Sequence, residues 1–275
     1  MSKNTISESA FLVNESRLRR VDISQDIYSH LWTTDSTAKL WNDFSNDVYP
    51  YDDIELSLRN RFYLENLKSF IKKVSNPVFI NFASGFTSYP FLIGSDCNFV
   101  EIDIDKIIDY KIEKVKNWME NKILPNRDIN FIKADFNEGE DINRVKDFIY
   151  SNFKNKVSFI LLEGISYYLT KKSLVNIFEM ISEFKIKDSV IAIDFWKPEI
   201  SKNPVFSRFI CFFEKRFGFK KTNYNFLTLD FIQKIIGYEI IDFTDIQSLE
   251  TKYTSDNFLN DDNQILPEFY AVFKK

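Results

Sequence analysis

The sequence has few of the residues that mark secreted, metal-binding or dinucleotide-binding proteins: six glycines, two cysteines and one histidine among 275 residues. Cys97 and Cys211 are far apart and form no C-x-x-C motif. The sequence therefore predicts neither a disulfide framework nor a metal site, and it favours a reducing cytoplasm. No apolar run approaches the roughly 18 residues of a membrane span, and the N-terminus lacks the apolar core of a signal peptide. We expect a cytoplasmic protein that does not bind membranes.

Positive charge is also scarce. The net charge is −4 and the pI is about 5.3, which argues against a nucleic-acid-binding protein because neutralising phosphates requires a basic face. We interpret both short basic clusters as solvated surface charge. They comprise Arg17, Arg19 and Arg20 in one, and Lys215, Arg216, Lys220 and Lys221 in the other.

Short apolar runs of strand-forming residues recur from residue 78 onward, and segments with helical spacing lie between most of them. This alternation is typical of a largely parallel sheet with crossover helices. Segments 106–119 and 172–184 show the clearest amphipathic spacing. We predict an α/β, Rossmann-like fold with a seven-stranded, mostly parallel sheet. The predicted strands are 78–82, 98–102, 129–134, 157–162, 189–195, 238–243 and 268–273.

Two regions lie outside this alternation. Residues 1–75 look helical, so we expect an N-terminal helical cap on a core of residues 76–275. Residues 197–226 are rich in aromatic side chains and are interrupted by Pro198 and Pro204. Additions to such sheets commonly cover the carboxyl ends of the strands, where ligands bind. We therefore interpret this segment as an aromatic lid.

The stretch from Val78 to Glu101 is the most informative. A buried strand, the small-residue turn A-S-G-F-T-S and a second strand ending in acids form the ligand crevice of a doubly wound sheet. A dinucleotide pyrophosphate needs several glycines in this turn, but only Gly85 is present, beside Ala83 and Ser84. A cofactor with adenosine and an amino-acid tail but no phosphate does not need several glycines in this turn. We predict that these residues bind S-adenosyl-L-methionine.

Acidic residues end the second and third predicted strands. Glu101 is placed to accept hydrogen bonds from both ribose hydroxyls, or it is an acid favoured by the N-terminus of the next helix. Asp103 shares that role or caps the helix. Asp135 is placed to accept a hydrogen bond from an adenine amino group, or it is a solvated loop residue. Phe136 beside it can pack on the base.

The fourth predicted strand ends in L-L-E-G-I-S-Y-Y-L. Glu163 closes a wholly apolar run, and packing alone does not explain a carboxylate there. We expect it to meet a polar partner in the crevice, with Gly164 permitting close approach of a ligand. Tyr167 and Tyr168 either line the reacting centre or belong to the core.

Arg59 is singled out by helical geometry. On a helix over 52–74, Arg59 falls on the apolar stripe, whereas Arg61 points away and can pair with Glu65. A buried guanidinium needs an anion. The carboxylate of an amino-acid cofactor and an internal Asp or Glu are both candidates.

His30 is the only histidine. It is either a general base or a structural residue. Because a hydroxyl acceptor needs a base near neutral pH and a carboxylate is already ionised, the scarcity of histidine leans toward a carboxylate acceptor.

Five motifs occur in order along the chain: L-R-N-R-F at 58–62, N-F-A-S-G-F-T-S-Y at 81–89, V-E-I-D at 100–103 with Lys111 downstream, K-A-D-F at 133–136, and L-L-E-G-I-S-Y-Y-L at 161–169. Together they resemble the leucine carboxyl methyltransferase-like family of class I S-adenosylmethionine-dependent methyltransferases. This family includes bacterial O-methyltransferases of small-molecule pathways. The resemblance covers the chain from about residue 12 to residue 243.

The resemblance implies site roles that agree with the interpretations above. Arg59 would bind the cofactor carboxylate, Gly85 and its neighbours would form the cofactor loop, and Glu101 would take the ribose. Asp135 would lie by the adenine, and Glu163 would contact the amino-acid part of the cofactor.

The cofactor loop departs from the family pattern, which is closer to G-A-G-x-D-T-R. Ala83 replaces a glycine, Thr87 the aspartate and Tyr89 the arginine.

The sequence therefore predicts an S-adenosylmethionine-dependent O-methyltransferase that acts on a carboxylate or hydroxyl of a small, apolar, polyketide-like metabolite in natural product biosynthesis. Two alternatives remain: a protein carboxyl-terminal methyltransferase, and a non-catalytic cofactor-binding or scaffold protein. The oligomeric state is open.

Overall fold

The computed structural model describes residues 5–94, 96–184, 186–218 and 224–275, with side chains from residue 8 onward. In these ranges, seven strands form one sheet of order β3-β2-β1-β4-β5-β7-β6. The strands are β1 (Val78–Phe82), β2 (Asn98–Asp103), β3 (Ile129–Lys133), β4 (Ser158–Leu162), β5 (Val190–Phe195), β6 (Glu239–Asp245) and β7 (Phe269–Lys274).

The first five strands are parallel, and only β7 runs antiparallel to its neighbours β5 and β6. The predicted seven-stranded, mostly parallel α/β sheet is confirmed. Strands β1, β4 and β5 are buried along their whole length because helices cover both faces of a parallel sheet. This explains why they read as unbroken apolar runs.

Helices flank the sheet and precede it. They are α1 (Thr5–Arg19), α2 (Val21–Ser24), α3 (Asp35–Asp47), α4 (Asp52–Ile71), α5 (Tyr89–Leu92), α6 (Asp105–Glu120), α7 (Gly139–Phe153), α8 (Lys171–Glu183), α9 (Pro204–Phe217), α10 (Leu229–Ile236) and α11 (Ile246–Tyr253), with short 3-10 helices at Ser29–Trp32 and Pro198–Lys202. Side chains cap several of them: Thr34, Thr170 and Asn203 each accept a hydrogen bond from a backbone N–H three residues later. No helix of the described ranges is both long and apolar enough to cross a membrane.

Strand order reverses between β1 and β4, because β2 and β3 lie on one side and β5 on the other. At such a switch point the loops after the two strands diverge and leave a crevice at their carboxyl ends. Helices α1 and α4 of the N-terminal region pack on each other, and their residues reach this crevice. The division into a cap of residues 1–75 and a core of residues 76–275 stays a prediction.

The predicted aromatic lid forms α9, whose Phe206, Phe209 and Phe213 pack into one cluster with Phe44 of α3 and Trp196 at the end of β5. The cluster closes one end of the crevice with apolar rings. Residues 219–223 of this segment lie outside the described ranges.

Candidate active site

The loop after β1 takes an unusual backbone path. Ala83 and Gly85 both have positive φ, 54° and 46°, a region that suits glycine and strains alanine. Side chains hold the loop in place. The Gly85 N–H donates to Asp103 Oδ2 at 2.8 Å, and Asn81 Nδ2 donates to Thr87 Oγ1 at 3.0 Å. Thr87, at the position of the family's aspartate, thus ties the loop to β1.

This loop forms one wall of a cavity of about 260 Å³ at the carboxyl ends of the strands. Ser84 Oγ lies in that wall, fully buried, and accepts or donates no hydrogen bond within the described residues. A buried hydroxyl without a partner is costly unless a ligand supplies one. The predicted site residues that line the cavity are Arg59, Ala83, Ser84, Gly85, Asp103, Asp135, Phe136, Glu163 and Tyr168.

Glu101 is not among the residues that line this cavity. Its carboxylate is completely buried, and Lys111 Nζ of α6, also completely buried, lies 2.7 Å from its Oε2. Burial raises the pKa of Glu101, and Lys111 opposes the shift. Asp103 lies on the same face of β2 but two residues nearer the strand end, and it lines the cavity. The acid that faces the cavity is therefore Asp103, while binding of a ribose stays a prediction for both acids.

Arg59 lies on the inner face of α4, as its spacing predicts, and is 3% exposed. Its Nε is 3.2 Å from Glu163 Oε1, and its Nη1 donates to the Tyr167 hydroxyl at 3.1 Å. Glu268 and Asp194 lie slightly farther, at 3.5 Å and 3.7 Å. Internal carboxylates thus surround this guanidinium, as one of the two sequence alternatives requires. Arg59 also lines the cavity, and binding of a cofactor carboxylate by Arg59 stays a prediction.

Arg61 points outward and pairs with Glu65 at 3.0 Å, which confirms the expected split between the two arginines.

Two of the carboxylates around Arg59 were not predicted from the sequence. Asp194 is the penultimate residue of β5 and accepts the Gly164 N–H at 2.9 Å. Burial raises its pKa well above the ordinary value. Glu268 directly precedes β7 and accepts a hydrogen bond from Tyr270 at 2.8 Å. Asp194 could have been found from the sequence, because it is a single acid in the apolar run I-A-I-D-F, and the same kind of pattern singled out Glu163. Glu268 gave no such signal, because only the antiparallel insertion of β7 brings it to Arg59.

Gly164 allows this cluster to pack. It has φ +68°, and a β-carbon built there would lie 3.2 Å from Arg59 Nη2. Tyr89, which replaces an arginine of the family loop, donates to Glu163 Oε2 at 2.7 Å. A neutral hydroxyl therefore satisfies Glu163 Oε2 in this chain.

Arg17 corrects the interpretation of the first basic cluster. Its side chain is 2% exposed, not solvated, and lines the cavity. It donates to the Phe86 carbonyl at 3.0 Å, and its Nε is 3.5 Å from Asp26. Its spacing from Ala10 and Val13 at i, i+3 and i+7 was the available signal. Lys215 and Arg216 are exposed as expected, and Lys220 and Lys221 lie outside the described residues.

A second cavity, of about 70 Å³, adjoins the first. The two share Arg59, Gly164 and Tyr168 in their walls. The second cavity also contains three carboxyl groups, those of Asp52, Glu55 and Glu268. Its aromatic wall comprises Phe44, Tyr49, Tyr167, Tyr168, Trp196, Phe209 and Phe213. Of the predicted catalytic residues, Tyr168 thus lies where the two cavities meet, and Tyr167 lines only the second cavity.

The remaining predicted residues differ in position. Asp135 is exposed at the cavity rim and accepts the Asn137 N–H at 2.9 Å. Phe136 is buried and packs on Phe82, with 5.1 Å between ring centroids. His30 is exposed in a 3-10 helix, its Nδ1 lies 2.9 Å from the Ile27 carbonyl oxygen, and it lines neither cavity. The structure does not bring it to the other candidates.

Comparison with known proteins places this geometry in context. The family model of leucine carboxyl methyltransferase matches residues 12–182. Two solved structures align over nearly the whole chain. One is a DUF574 family protein from Streptomyces avermitilis with 12% identity and a TM-score of 0.61, covering 97% of each chain. The other, from Thermobifida fusca and assigned as a methyltransferase, has 13% identity and a TM-score of 0.62, covering 96% of this chain and 94% of its own. At this identity they show the fold. No curated protein matches the chain at a significant level.

Proposed function

Because this chain belongs to the leucine carboxyl methyltransferase family, we propose that it transfers the methyl group of S-adenosyl-L-methionine to an oxygen atom of a small molecule. The chain is an S-adenosylmethionine-dependent methyltransferase of this family, and S-adenosyl-L-methionine is its cofactor. The oxygen acceptor, the small-molecule substrate and the cytoplasmic location belong to the proposal.

The polar side chains in the wall of the larger cavity suit the groups of this cofactor. Ser84 offers a buried hydroxyl without a partner, and Asp103 offers a carboxylate at the end of β2. Arg59 and Glu163 carry opposite charges in the same wall, which suits the carboxylate and the ammonium of an amino-acid tail. When bound, the cofactor supplies an electrophilic methyl group on a positively charged sulfur.

One observation carries the proposed reaction: a small aromatic cavity opens directly beside the cofactor cavity at Arg59 and Gly164. An acceptor held there would face the methyl group in a place that excludes most water. Rate then comes chiefly from positioning and desolvation. The aromatic wall favours an apolar, polyketide-like body for the acceptor and thus a role in natural product biosynthesis.

A hydroxyl is the acceptor group that the carboxyl groups favour. The buried carboxyl groups of Asp52, Glu55 and Glu268 disfavour a further carboxylate in this cavity, and Glu268 in its ionised form can accept a hydroxyl proton. Glu268 lies closest to the junction of the cavities, 3.5 Å from Arg59, and burial raises its pKa. We assign it as the proton acceptor. The argument from the scarcity of histidine leaned the other way because it did not foresee this carboxyl group.

Calorimetric titration with S-adenosylmethionine tests the cofactor site. We expect micromolar affinity, and we expect Arg59→Ala and Asp103→Asn each to weaken it at least tenfold, since each removes a charged contact. Arg61→Ala, on the outer face of the same helix, is the matched control and should bind like the wild type. Unchanged affinity in both site variants would refute the assignment. Glu101→Gln decides between the two acids: it should alter stability more than affinity.

Transfer of a radiolabelled methyl group from the cofactor into cell extracts tests the acceptor class. Label in the small-molecule fraction as an alkali-stable ether supports hydroxyl methylation. Alkali-labile label in protein would instead indicate carboxyl-terminal methylation, and tight cofactor binding without any transfer would indicate a scaffold.

A further inference from the structure

We propose that the acceptor carries a positively charged amine, which Asp52 and Glu55 bind at the far end of the aromatic cavity. This inference rests on the proposed function, because it takes that cavity as the acceptor site. It narrows the acceptor from a hydroxyl compound to an amino alcohol or aminophenol.

The first support is that two buried carboxyl groups lack a counter-ion. Asp52 and Glu55 are each 5% exposed, both line the cavity, and no ion pair of the described residues involves either of them. Buried carboxylates are normally paired with a cation. Burial raises the pKa of Asp52 to about 6 and that of Glu55 well above its ordinary value, as expected where the counter-ion is missing.

The second support is that hydrogen bonds fix both carboxyl groups in position. Ser16 Oγ donates to Asp52 Oδ2 at 2.6 Å, and the Leu266 N–H donates to Glu55 Oε1 at 3.1 Å. The Tyr49 hydroxyl bridges the remaining oxygens, 3.2 Å from Asp52 Oδ1 and in a short contact with Glu55 Oε2. One hydroxyl proton cannot serve two carboxylates fully. The cluster is therefore prearranged yet short of positive charge, which a ligand can supply.

The third support is the aromatic wall. Rings of Phe44, Trp196, Phe209 and Phe213 surround the same cavity, with Trp196 stacked 3.9 Å from Tyr167. Aromatic faces attract ammonium groups, and the attraction grows when water is excluded. Purely apolar walls would suit any hydrophobic ligand, but rings together with unpaired carboxylates favour a cation over a neutral compound.

The geometry of α4 gives the spacing between the two ends of the ligand. Asp52, Glu55 and Arg59 occupy positions i, i+3 and i+7, so they follow one another along one face of the helix. At 1.5 Å per residue, the two acids lie roughly 6–10 Å from Arg59 along the helix axis. Since Arg59 marks the junction with the cofactor cavity, an acceptor with amine and hydroxyl separated by about that distance spans the site.

Three phenols of matched shape test this proposal: tyramine, 4-ethylphenol and 3-(4-hydroxyphenyl)propionate. All carry the same hydroxyl, and they differ in a positive, neutral or negative far end. Calorimetric titration of each into the full-length protein saturated with S-adenosylhomocysteine measures the preference directly. We expect tyramine to bind at least tenfold more tightly than 4-ethylphenol and the propionate not to bind detectably. Equal or tighter binding of 4-ethylphenol, or binding of none of the three, would overturn the proposal.

Substitutions of the two acids test whether they are the residues that bind the ammonium group. Asp52→Asn and Glu55→Gln should each weaken tyramine at least tenfold and leave 4-ethylphenol unchanged. Asp53→Asn on the same helix, whose side chain binds its own neighbour Ile54 N–H, is the matched control. Unchanged S-adenosylhomocysteine affinity shows that each variant is folded. A parallel loss of both phenols would contradict an ammonium site.

The experiments distinguish a failure of the proposed function from a failure of the proposed ammonium site. Lack of cofactor binding would refute the proposed function itself. A methyl group found on the nitrogen of tyramine by mass spectrometry would refute both oxygen transfer and the placement of the amine at Asp52 and Glu55, while leaving the cofactor site intact.

Discussion

The two sides of the cofactor cavity balance charge differently. On the β2 side, Glu101 meets a single lysine, Lys111, and the pair is sealed from solvent. On the other side, where α4 meets β4, β5 and β7, one arginine faces the carboxyl groups of Glu163, Asp194 and Glu268. Asp52 and Glu55 lie on the same side, in the adjoining cavity. A matched pair is complete without a ligand, whereas the second arrangement lacks positive charge. We infer that the matched side supports the fold and that the unmatched side receives a positively charged ligand.

Breaking the matched pair should have the largest effect. Lys111→Met leaves Glu101 buried without a counter-ion, and we expect it to lower the free energy of unfolding by about 3–5 kcal/mol. Urea unfolding measures this loss. Lys116→Met, exposed on the same helix, is the control. Restoration of stability in Lys111→Met combined with Glu101→Leu would confirm the cause, and a stable single variant would show that the pair is dispensable.

On the unmatched side, stability should depend on pH through Asp52. Burial raises its pKa from 3.8 to about 6, so the folded protein binds this proton more tightly than the unfolded chain. The resulting stability is fully present below pH 4 and is lost as pH rises past 6, a change of about 3 kcal/mol.

The measurement compares wild type with Asp52→Asn in urea at several pH values. The stability advantage of the wild type should shrink by about 3 kcal/mol between pH 4 and pH 7, with the exposed Asp47→Asn as the control. Parallel stability curves for wild type and Asp52→Asn would contradict the raised pKa.

Adding a methyl group next to Arg59 on the unmatched side should have the smallest effect on stability of the three changes. Gly164→Ala places a β-carbon 3.2 Å from Arg59 Nη2 at a residue with φ +68°, and we expect a cost of about 1–2 kcal/mol. The displaced guanidinium should also weaken cofactor binding several-fold. Gly237→Ala, also at positive φ but with open space around it, controls for backbone strain alone. Equal cofactor affinity in the two variants would show that the contact with Arg59 is unimportant.

Features that depend on neighbours close in sequence were the more predictable. The apolar runs located every strand, and the acids after the apolar runs of β2 and β4 marked the crevice. The sequence could not tell Glu101 from Asp103, since two residues on one strand face share a direction and differ only in depth.

The unmatched side depends on contacts between distant segments. Asp52 and Glu55 gave no signal on an acidic, solvated-looking helix start, and Glu268 meets Arg59 across 209 residues. Arg17 was misjudged because its cluster also contains Arg19 and Arg20, which are more exposed. The roles of individual residues toward ligands stay predictions.

The position of β7 has a consequence for how the protein is made. This strand is inserted between β5 and β6, and Glu268 immediately precedes it. During synthesis, the segments that carry Arg59, Glu163 and Asp194 emerge long before this last strand. A nascent chain therefore holds its arginine with an incomplete set of partners until residue 268 leaves the ribosome.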